Sequence, residues 1–545
     1  MAHRRVLVLG LDGLEKGLAE RLMAEGDMPA LAELRRKSAR FLLDHGPAQR
    51  TGLAWEHVAS GLSPDAARRW AAVEFDPTTY EAWQEGARFT PWWAGLDRRV
   101  VVFDTPYVPI DRAANTRGVV GWGAHDPGIP TMGSPAGLLP EFESRFGRYP
   151  TARWTYGMPF PSTARTVAMG EDLCRAIDAR ARAARWLATE RCADWDLFIA
   201  VSGEIHGAIE GLWHGVDSSH PFHAHPSAPA AGRALVEIHR ALDRMIGDLI
   251  AAAGDAAVVA FTLGGMGPNH SDVQSMVLLP ELLYRQAFGE PLLALPAKWT
   301  AEPASLPILD GELGWDRANR AWVSEPEPQR PEPPPPSGVR SLARRLPGPV
   351  KKVLRKLRPA APHRDDGGPM HRLGLQWQPA FRYRRHWPRM PAFALPSFYD
   401  GRIRINLKGR ERDGVVEPSR YEETCRELET LLRECRNPRT GEPMVESFER
   451  SSTRDPLALS SSEADLLVIW RGIAAALEHP RFGVIGPAPL RRTGGHTGPH
   501  GLAYVAGPGV EAGDRGVRSS FDVVPTIARL LAADPPGPLS GTSLL

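Results

Sequence analysis

The chain has 545 residues, of which 42% are hydrophobic, enough for one large core with appendages or for two domains. Its 66 basic and 64 acidic side chains leave a formal charge of +2, so net charge gives no indication of specific nucleic-acid recognition. Four cysteines in a chain of this length do not form the pattern of a disulfide framework, which favours a reducing compartment.

The N-terminal segment has a basic start followed by an apolar run, as signal peptides do. The run ends at Asp12 without a small-residue cleavage site, which favours a first strand instead. No segment has the roughly 20 uncharged apolar residues that a membrane span needs. We therefore expect a cytoplasmic protein.

The first predicted element is a strand over Val6–Leu11, a continuous run of apolar residues and one glycine that stops at Asp12 and Gly13. Such runs are typical of parallel strands that are covered on both faces. Ligands of open α/β sheets bind at the carboxyl ends of these strands. Asp12 is therefore expected where a ligand would lie.

Strand-like and helix-like segments alternate along the rest of the chain, which predicts a doubly wound, mostly parallel sheet with helices on both faces. Further strands are predicted at 99–103, 195–201, 256–261, 465–470 and 502–506, and a strand or hairpin at 393–407. Helices are predicted at 15–39 with a break near Gly26, and at 171–190, 232–252, 421–434 and 521–531.

Thr51 precedes Gly52 and a helix-like run. Its hydroxyl should lie near a helix N-terminus, where free N–H groups favour an anion such as a phosphate. The alternative is a plain capping residue.

His206 and Glu210 follow the strand predicted at 195–201 and are four residues apart. On a helix they share a face and could hold a metal ion together. A solvated pair is the alternative, because this spacing is common on helix surfaces.

The composition changes after Trp322. Residues 324–369 are predicted to form a linker, proline-rich and acidic at first and then basic over 339–358. The basic part is expected either to contact an anionic membrane surface, which would make the protein peripheral to a membrane, or to be a solvated tether. We expect a core whose first part is 1–323 and whose second part, with a small inserted lobe, is 370–545.

These segments resemble the type I phosphodiesterase and nucleotide pyrophosphatase branch of the alkaline phosphatase superfamily. Each motif alone is weak, but their order along the chain is specific. The matching motifs are LGLDG at 9–13, TGxAW with SGLSP within 51–64, WDLF at 195–198, GMGPN at 265–269, NLKGRE at 406–411, the GxH element ending at His496, DVVPT at 522–526 and the terminal GTSL.

The resemblance implies two metal ions, usually zinc, and a Thr or Ser nucleophile at Thr51. Asp12, Thr51 and His496 match the family's pattern. The Asp-His pair expected before Gly265 is replaced by Leu263 and Gly264, which cannot bind a metal. The family's second Asp-His pair aligns with His206 and Glu210, so the two ligand types are exchanged while their spacing is kept.

One divalent ion, most simply zinc, is therefore expected instead of two. Its predicted ligands are His206, Glu210 and His496, with Asp12 bridging to the ion or accepting a hydrogen bond. Glu204 is predicted to accept a hydrogen bond from His206.

Four further residues are candidates for contact with substrate. Arg50 and Arg492 flank Thr51 and His496 and could bind phosphate oxygens, although surface arginines without a role are the alternative. His214 belongs to a histidine-rich segment that could equally be a solvated loop, and His270 is the nearest substitute in sequence for the missing ligands.

Two functions follow from these residues. One is a metal-dependent hydrolase of small phosphate diesters, or of related phosphate or sulfate esters, through Thr51. The other is an impaired relative that binds a ligand or a protein. No C-x-P-x-R motif surrounds Thr51, which makes sulfate esters the less expected substrates.

Overall fold

The computed structural model describes residues 5–123, 130–154, 162–309, 315–323 and 372–545. The strands are β1 (Val6–Leu11), β2 (Ala39–Asp44), β3 (Val73–Asp76), β4 (Glu81–Glu85), β5 (Val100–Phe103), β6 (Thr116–Val120), β7 (Met132–Ser134), β8 (Leu197–Ser202), β9 (Ala257–Thr262), β10 (Gly265–Pro268), β11 (Arg372–Leu373), β12 (Ala392–Leu395), β13 (Gly401–Ile405), β14 (Val445–Arg450), β15 (Leu466–Trp470), β16 (Leu477–His479), β17 (Gly483–Ile485), β18 (Gly494–Gly498), β19 (Gly501–Ala506) and β20 (Gly513–Ser519).

The α-helices follow the same chain order. They are α1 (Lys16–Glu25), α2 (Pro29–Lys37), α3 (Ala54–Ser60), α4 (Pro64–Ala67), α5 (Leu138–Phe146), α6 (Thr163–Trp186), α7 (Glu204–Leu212), α8 (Ala228–Ala253), α9 (Leu279–Phe288), α10 (Ala297–Thr300), α11 (Trp315–Trp322), α12 (Tyr421–Arg433) and α13 (Val523–Leu530).

In the part of the chain that the structure describes, nine strands form the main sheet in the order β20-β2-β19-β9-β1-β8-β5-β6-β7. All neighbouring pairs are parallel except those of β19 with β2 and β9, and that of β6 with β7. Strand β1 lies between β8 and β9, with Val6 opposite Leu197 on one side and Ala257 on the other. The predicted fold class is confirmed.

Both faces of the main sheet are buried, which explains the unbroken apolar run of β1. Leu7, Leu9 and Leu11 face one core, which also contains apolar residues of α1, α2 and α5 to α8. Val6 and Val8 face a second core beneath α3 and α13. Successive side chains of a strand point to opposite faces, so each face needs its own layer of helices.

A second, antiparallel sheet has the order β12-β13-β15-β14. It packs with α9 and α12 around a third core that includes Phe393, Ile403 and Leu428. The predicted hairpin at 393–407 is confirmed, because β12 pairs antiparallel with β13. The loop between these strands carries Tyr399 and Asp400, which reach the carboxyl edge of the main sheet.

The predicted strands of the main sheet agree with the observed ones to within two residues, but two helical predictions differ. Helix α6 begins at Thr163, eight residues before the predicted start, because the Ser162 side chain accepts a hydrogen bond from the Arg165 amide and caps the helix there. The segment predicted as helix up to residue 39 ends in β2, whose first residue is Ala39.

The linker at 324–369, with its basic part at 339–358, lies outside the described residues, so its membrane contact stays a prediction. The domain boundaries also stay predictions. None of the helices in the described ranges is both long and apolar enough to span a membrane.

Candidate metal and phosphate site

Asp12, His206 and His496 meet at the carboxyl edge of the main sheet. Asp12 follows β1, His206 lies in the first turns of α7 directly after β8, and His496 lies on β18. Two glycines allow this approach. A Cβ atom on Gly13, whose φ is +78°, would lie 2.4 Å from the His206 Cα, and one on Gly494 would lie 2.2 Å from the carbonyl oxygen of Ile209 in α7.

The His206 ring is the centre of the cluster and is 3% exposed. Its Nδ1 lies 3.0 Å from Asp12 Oδ2. Its Nε2 lies 3.1 Å from Glu210 Oε1 and 3.0 Å from His496 Nε2. One ligand atom from each of His206, Glu210 and His496 lies within 4.8 Å of the others.

These distances fit a divalent cation. Asp12 accepts the Nδ1–H of His206, which leaves a lone pair on Nε2. That lone pair faces the Glu210 carboxylate, which is also an acceptor, so the contact needs a second proton or a cation. Arg492 Nη1 contacts the same Glu210 oxygen and supplies part of this positive charge. Two imidazoles and one carboxylate with an open position are a common zinc set, and metal-bound imidazoles usually donate their other N–H to a carboxylate.

Glu210 is fixed by an arginine as well as by His206. Arg492 Nη1 contacts Glu210 Oε1, while Arg492 Nε lies 2.7 Å from Asp272 Oδ2. The neighbouring Arg491 also donates to Asp272, at 2.8 Å, but not to Glu210. Glu210 Oε2 is buried without a hydrogen-bond partner, so one oxygen of this carboxylate is available to a ligand.

A cavity of about 40 Å³ adjoins the cluster and is lined by Asp12, His206 and His496. One water needs about 10–15 Å³, so this space has room for an ion with its water but not for an organic substrate. Leu263 and Gly264 also line this cavity. Gln49 fills the space next to Gly264, where a Cβ would lie 3.8 Å from the Gln49 Cγ.

Thr51 lines a second, larger cavity of about 580 Å³. Its Oγ1 donates to the carbonyl of Ala48 at 2.8 Å and accepts from the Leu53 amide at 3.1 Å. A volume of this size is typical of a small-molecule site. His45 lines both cavities, so the two cavities adjoin one another at this residue.

His45 is held by neutral partners. Its Nδ1 contacts Ser520 Oγ and its Nε2 lies 3.2 Å from His57 Nδ1. Burial lowers the pKa of His45 to about 4, and it also lowers the pKa of His57 well below its ordinary value. Both rings are therefore neutral at pH 7.

The structure places the remaining predicted residues away from the small cavity. Arg50 contacts Glu449 and lies 3.4 Å from Asp400. His214 is buried, with Nε2 3.0 Å from Ser227 Oγ, and desolvation lowers its pKa to about 3. His270 lines a different cavity with Asp217.

Some residues of the site carried no signal in the sequence. Gln49 donates to the carbonyls of His496 and Gly498, and the Tyr399 ring packs at 4.6 Å against the His496 ring. The prediction for Glu204 was wrong, because Asp12 accepts from His206 whereas Glu204 accepts from Arg180.

A doubly wound sheet with convergent polar side chains at the carboxyl ends of its strands has the architecture of an α/β enzyme. Residues 6–313, more than half of the chain, match the family model described as Type I phosphodiesterase / nucleotide pyrophosphatase. The chain belongs to this family, within the alkaline phosphatase superfamily, and the resemblance seen in the sequence is confirmed. Its family members are phosphoester hydrolases.

Solved structures of similar fold include phosphonoacetate hydrolase from Sinorhizobium meliloti 1021 in complex with phosphonoformate, with 13% identity over 97% of this chain and 96% of that chain and a TM-score of 0.48. Human ectonucleotide pyrophosphatase / phosphodiesterase 5 has 11% identity over 99% of this chain and 97% of that chain, with a TM-score of 0.47. No curated protein matches the sequence significantly.

Proposed function

We propose that the protein is a phosphodiesterase that uses Thr51 as its nucleophile and one divalent metal ion, most simply zinc, held by His206, Glu210 and His496. The observation that carries the proposal is that ligand atoms of His206, Glu210 and His496 lie close together. Asp12 orients the His206 ring within this cluster. Membership of a phosphoester hydrolase family supports it.

The bound ion would supply positive charge at a phosphate oxygen. Asp12 holds the His206 ring with Nε2 towards Glu210 and His496, the side chains that would hold the ion with it, and Arg492 fixes Glu210. The side chains at Leu263 and Gly264 have no atom that could bind a metal, which is the reason for assigning one ion and not two.

Thr51 Oγ1 would attack the phosphorus atom of a small phosphate diester and expel one alcohol, which leaves with the proton lost from the hydroxyl. Water would then cleave the bond between Oγ1 and phosphorus, releasing a phosphate monoester and restoring the threonine hydroxyl. The cavity of about 580 Å³ beside Thr51 has room for the alcohol part of the substrate. Thr51 would exchange its hydrogen bond to the Ala48 carbonyl for contact with the phosphate.

The test combines metal analysis of the purified protein with hydrolysis of bis-p-nitrophenyl phosphate. We expect about one metal ion per chain in the wild type and in Thr51→Ala, since the threonine is not among the proposed ligands. Hydrolysis should fall to background in Thr51→Ala and be retained in part by Thr51→Ser, which keeps a hydroxyl. His206→Ala should lose both the ion and the activity.

A ligand-binding relative without catalysis is the second candidate, favoured by the apolar residues at 263 and 264 and by Gln49 beside them. If no metal copurifies, and if wild type and Thr51→Ala are equally inert with several divalent ions, the hydrolase proposal fails and this second function stands. Equal activity in both proteins would instead remove Thr51 as the nucleophile.

A further inference from the structure

The larger cavity contains a buried arginine as well as Thr51. Arg402, on β13, is 5% exposed and lines this cavity. Its Nη1 donates to the Ser462 carbonyl at 3.1 Å and its Nη2 to the Trp70 carbonyl at 2.8 Å. In the described ranges, no carboxylate oxygen lies within ion-pair distance of its guanidinium.

A buried guanidinium whose hydrogen bonds go only to carbonyl groups is costly to desolvate, and an anion that reaches it through the cavity would offset this cost. Desolvation lowers the pKa of Arg402 to about 10, against the opposing effect of the nearby Asp400 carboxyl group. The side chain is still a cation at pH 7.

The other charged groups around the cavity already have partners. Arg450 donates to Glu429 at 2.9 and 2.7 Å. Glu449 is paired with Arg50. Among the described residues, Arg402 therefore differs from Arg450 in having no carboxylate oxygen within ion-pair distance, although Asp400 and Glu463 are near enough to act on it electrostatically.

Two further carboxylates of the wall likewise accept hydrogen bonds from nearby residues, which limits their repulsion of an incoming anion. Glu463 accepts from Ser451 at 2.5 Å, from Thr453 at 2.7 Å and from the Ser460 amide at 2.8 Å. Asp65, at the outer side, accepts from the Trp70 indole at 3.2 Å.

We propose that Arg402 binds an anionic group, a carboxylate or a second phosphate, on the alcohol part of the substrate, while Thr51 faces the phosphate to be cleaved. The inference rests on the proposed function for the role of Thr51. It narrows the substrate class to phosphate esters whose alcohol carries a negative charge.

Binding of two ligands tests this inference without any catalytic step. 2-Carboxyethyl phosphate carries the second anion, whereas ethyl phosphate lacks it. Calorimetric titration of the purified wild type should give an affinity for 2-carboxyethyl phosphate about 10- to 100-fold higher, the range for a hydrogen bond to a charged group. Arg402→Met should abolish this ratio.

Two variants separate charge from packing. Arg402→Lys keeps the cation and should retain part of the preference. Arg450→Met removes a paired arginine from the same cavity wall and should leave the ratio as in the wild type. If wild type binds both ligands equally, or if Arg450→Met loses the preference as completely as Arg402→Met, the inference is overturned.

The wild-type ratio decides the question even if Arg402→Met does not fold. Failure of the proposed function has a different signature, since a protein without hydrolytic activity would still prefer 2-carboxyethyl phosphate. If the protein hydrolyses phosphate esters but binds 2-carboxyethyl phosphate and ethyl phosphate equally, only the role of Arg402 is refuted and the proposed function stands.

Discussion

The two walls of the small cavity differ in how their side chains are held. Asp12, His206 and His496 form one wall and contact one another, with Glu210 behind them. Leu263 and Gly264 form the other wall, where Leu263 belongs to the apolar core beneath α3 and Gln49 covers Gly264. One wall therefore consists of polar side chains in mutual contact, whereas the other offers no side-chain donor or acceptor at 263 and 264.

The difference follows from what each position can stabilise. Without a metal ion beside it, a carboxylate at 263 or 264 would be a buried charge, so an apolar residue is the stable choice there. The polar wall persists because each charge has a partner, through the series Asp272, Arg492, Glu210 and His206.

The largest expected effect comes from making the apolar wall acidic. Leu263→Asp places a carboxylate where the native side chain is 5% exposed, and should lower the free energy of unfolding by about 3–5 kcal/mol, as for other uncompensated buried charges. Leu263→Met, of similar volume, should cost less than about 1.5 kcal/mol. Denaturant unfolding with and without excess zinc measures the stability of both variants. If Leu263→Asp loses less than about 1 kcal/mol, the side chain at 263 is not in an apolar environment.

Acid should lower the free energy of unfolding of the protein, because His45 is buried in its neutral form. Burial lowers the His45 pKa to about 4 from 6.5. Above pH 6.5 the ring is neutral in both folded and unfolded chains. As the pH falls from 6.5 to 4, only the unfolded chain gains the proton, so stability falls by up to about 3 kcal/mol and then levels off.

The measurement is the free energy of unfolding as a function of pH in wild type and His45→Gln. The variant is less stable at pH 7 but should lose less further stability between pH 6.5 and 4. Parallel curves would show that His45 does not titrate in this way. His57, whose pKa is lowered in the same direction, contributes in both proteins.

Arg492 should control the affinity of the polar wall for metal. Arg492→Met removes the contact that holds Glu210 and should weaken zinc binding by about 10- to 100-fold, the range for residues that orient a ligand. Arg491→Met is the matched control, because Arg491 has the same burial and the same partner Asp272 but does not contact Glu210. Competition with a zinc chelator gives the dissociation constant for zinc of each variant. If both variants bind zinc equally weakly, the cause is the lost contact with Asp272 and not the contact with Glu210.

Much of this arrangement could be predicted from the sequence. Continuous apolar runs gave β1, β8 and β9, and Asp12 and His206 follow strands whose carboxyl ends meet. The helical spacing of His206 and Glu210 placed both on α7. Local periodicity is enough to find the end of a strand and the shared face of His206 and Glu210, whereas the fold class is needed to expect that strand ends meet at one edge.

The contacts that finish the site could not be predicted, because they join residues far apart in sequence. Tyr399 comes from the loop of the second sheet and Asp272 from the segment after β10, and neither has a local pattern. Thr51 is another case, since its position in the larger cavity depends on how both sheets surround it.

The smallest expected effect is that of changing Gln49. This residue lies beside Gly264 in the apolar wall, and it is hydrogen-bonded to the strand that carries His496 in the polar wall. Its amide donates to the carbonyls of His496 at 3.2 Å and Gly498 at 3.0 Å. Gln49→Ala should lower the free energy of unfolding by about 1 kcal/mol, the net value of such bonds, and weaken zinc binding because His496 is less well held. Gln49→Glu keeps the shape but cannot donate, so it should lose at least as much stability. If it matches the wild type in both measurements, Gln49 only fills space beside Gly264, and the two walls are independent.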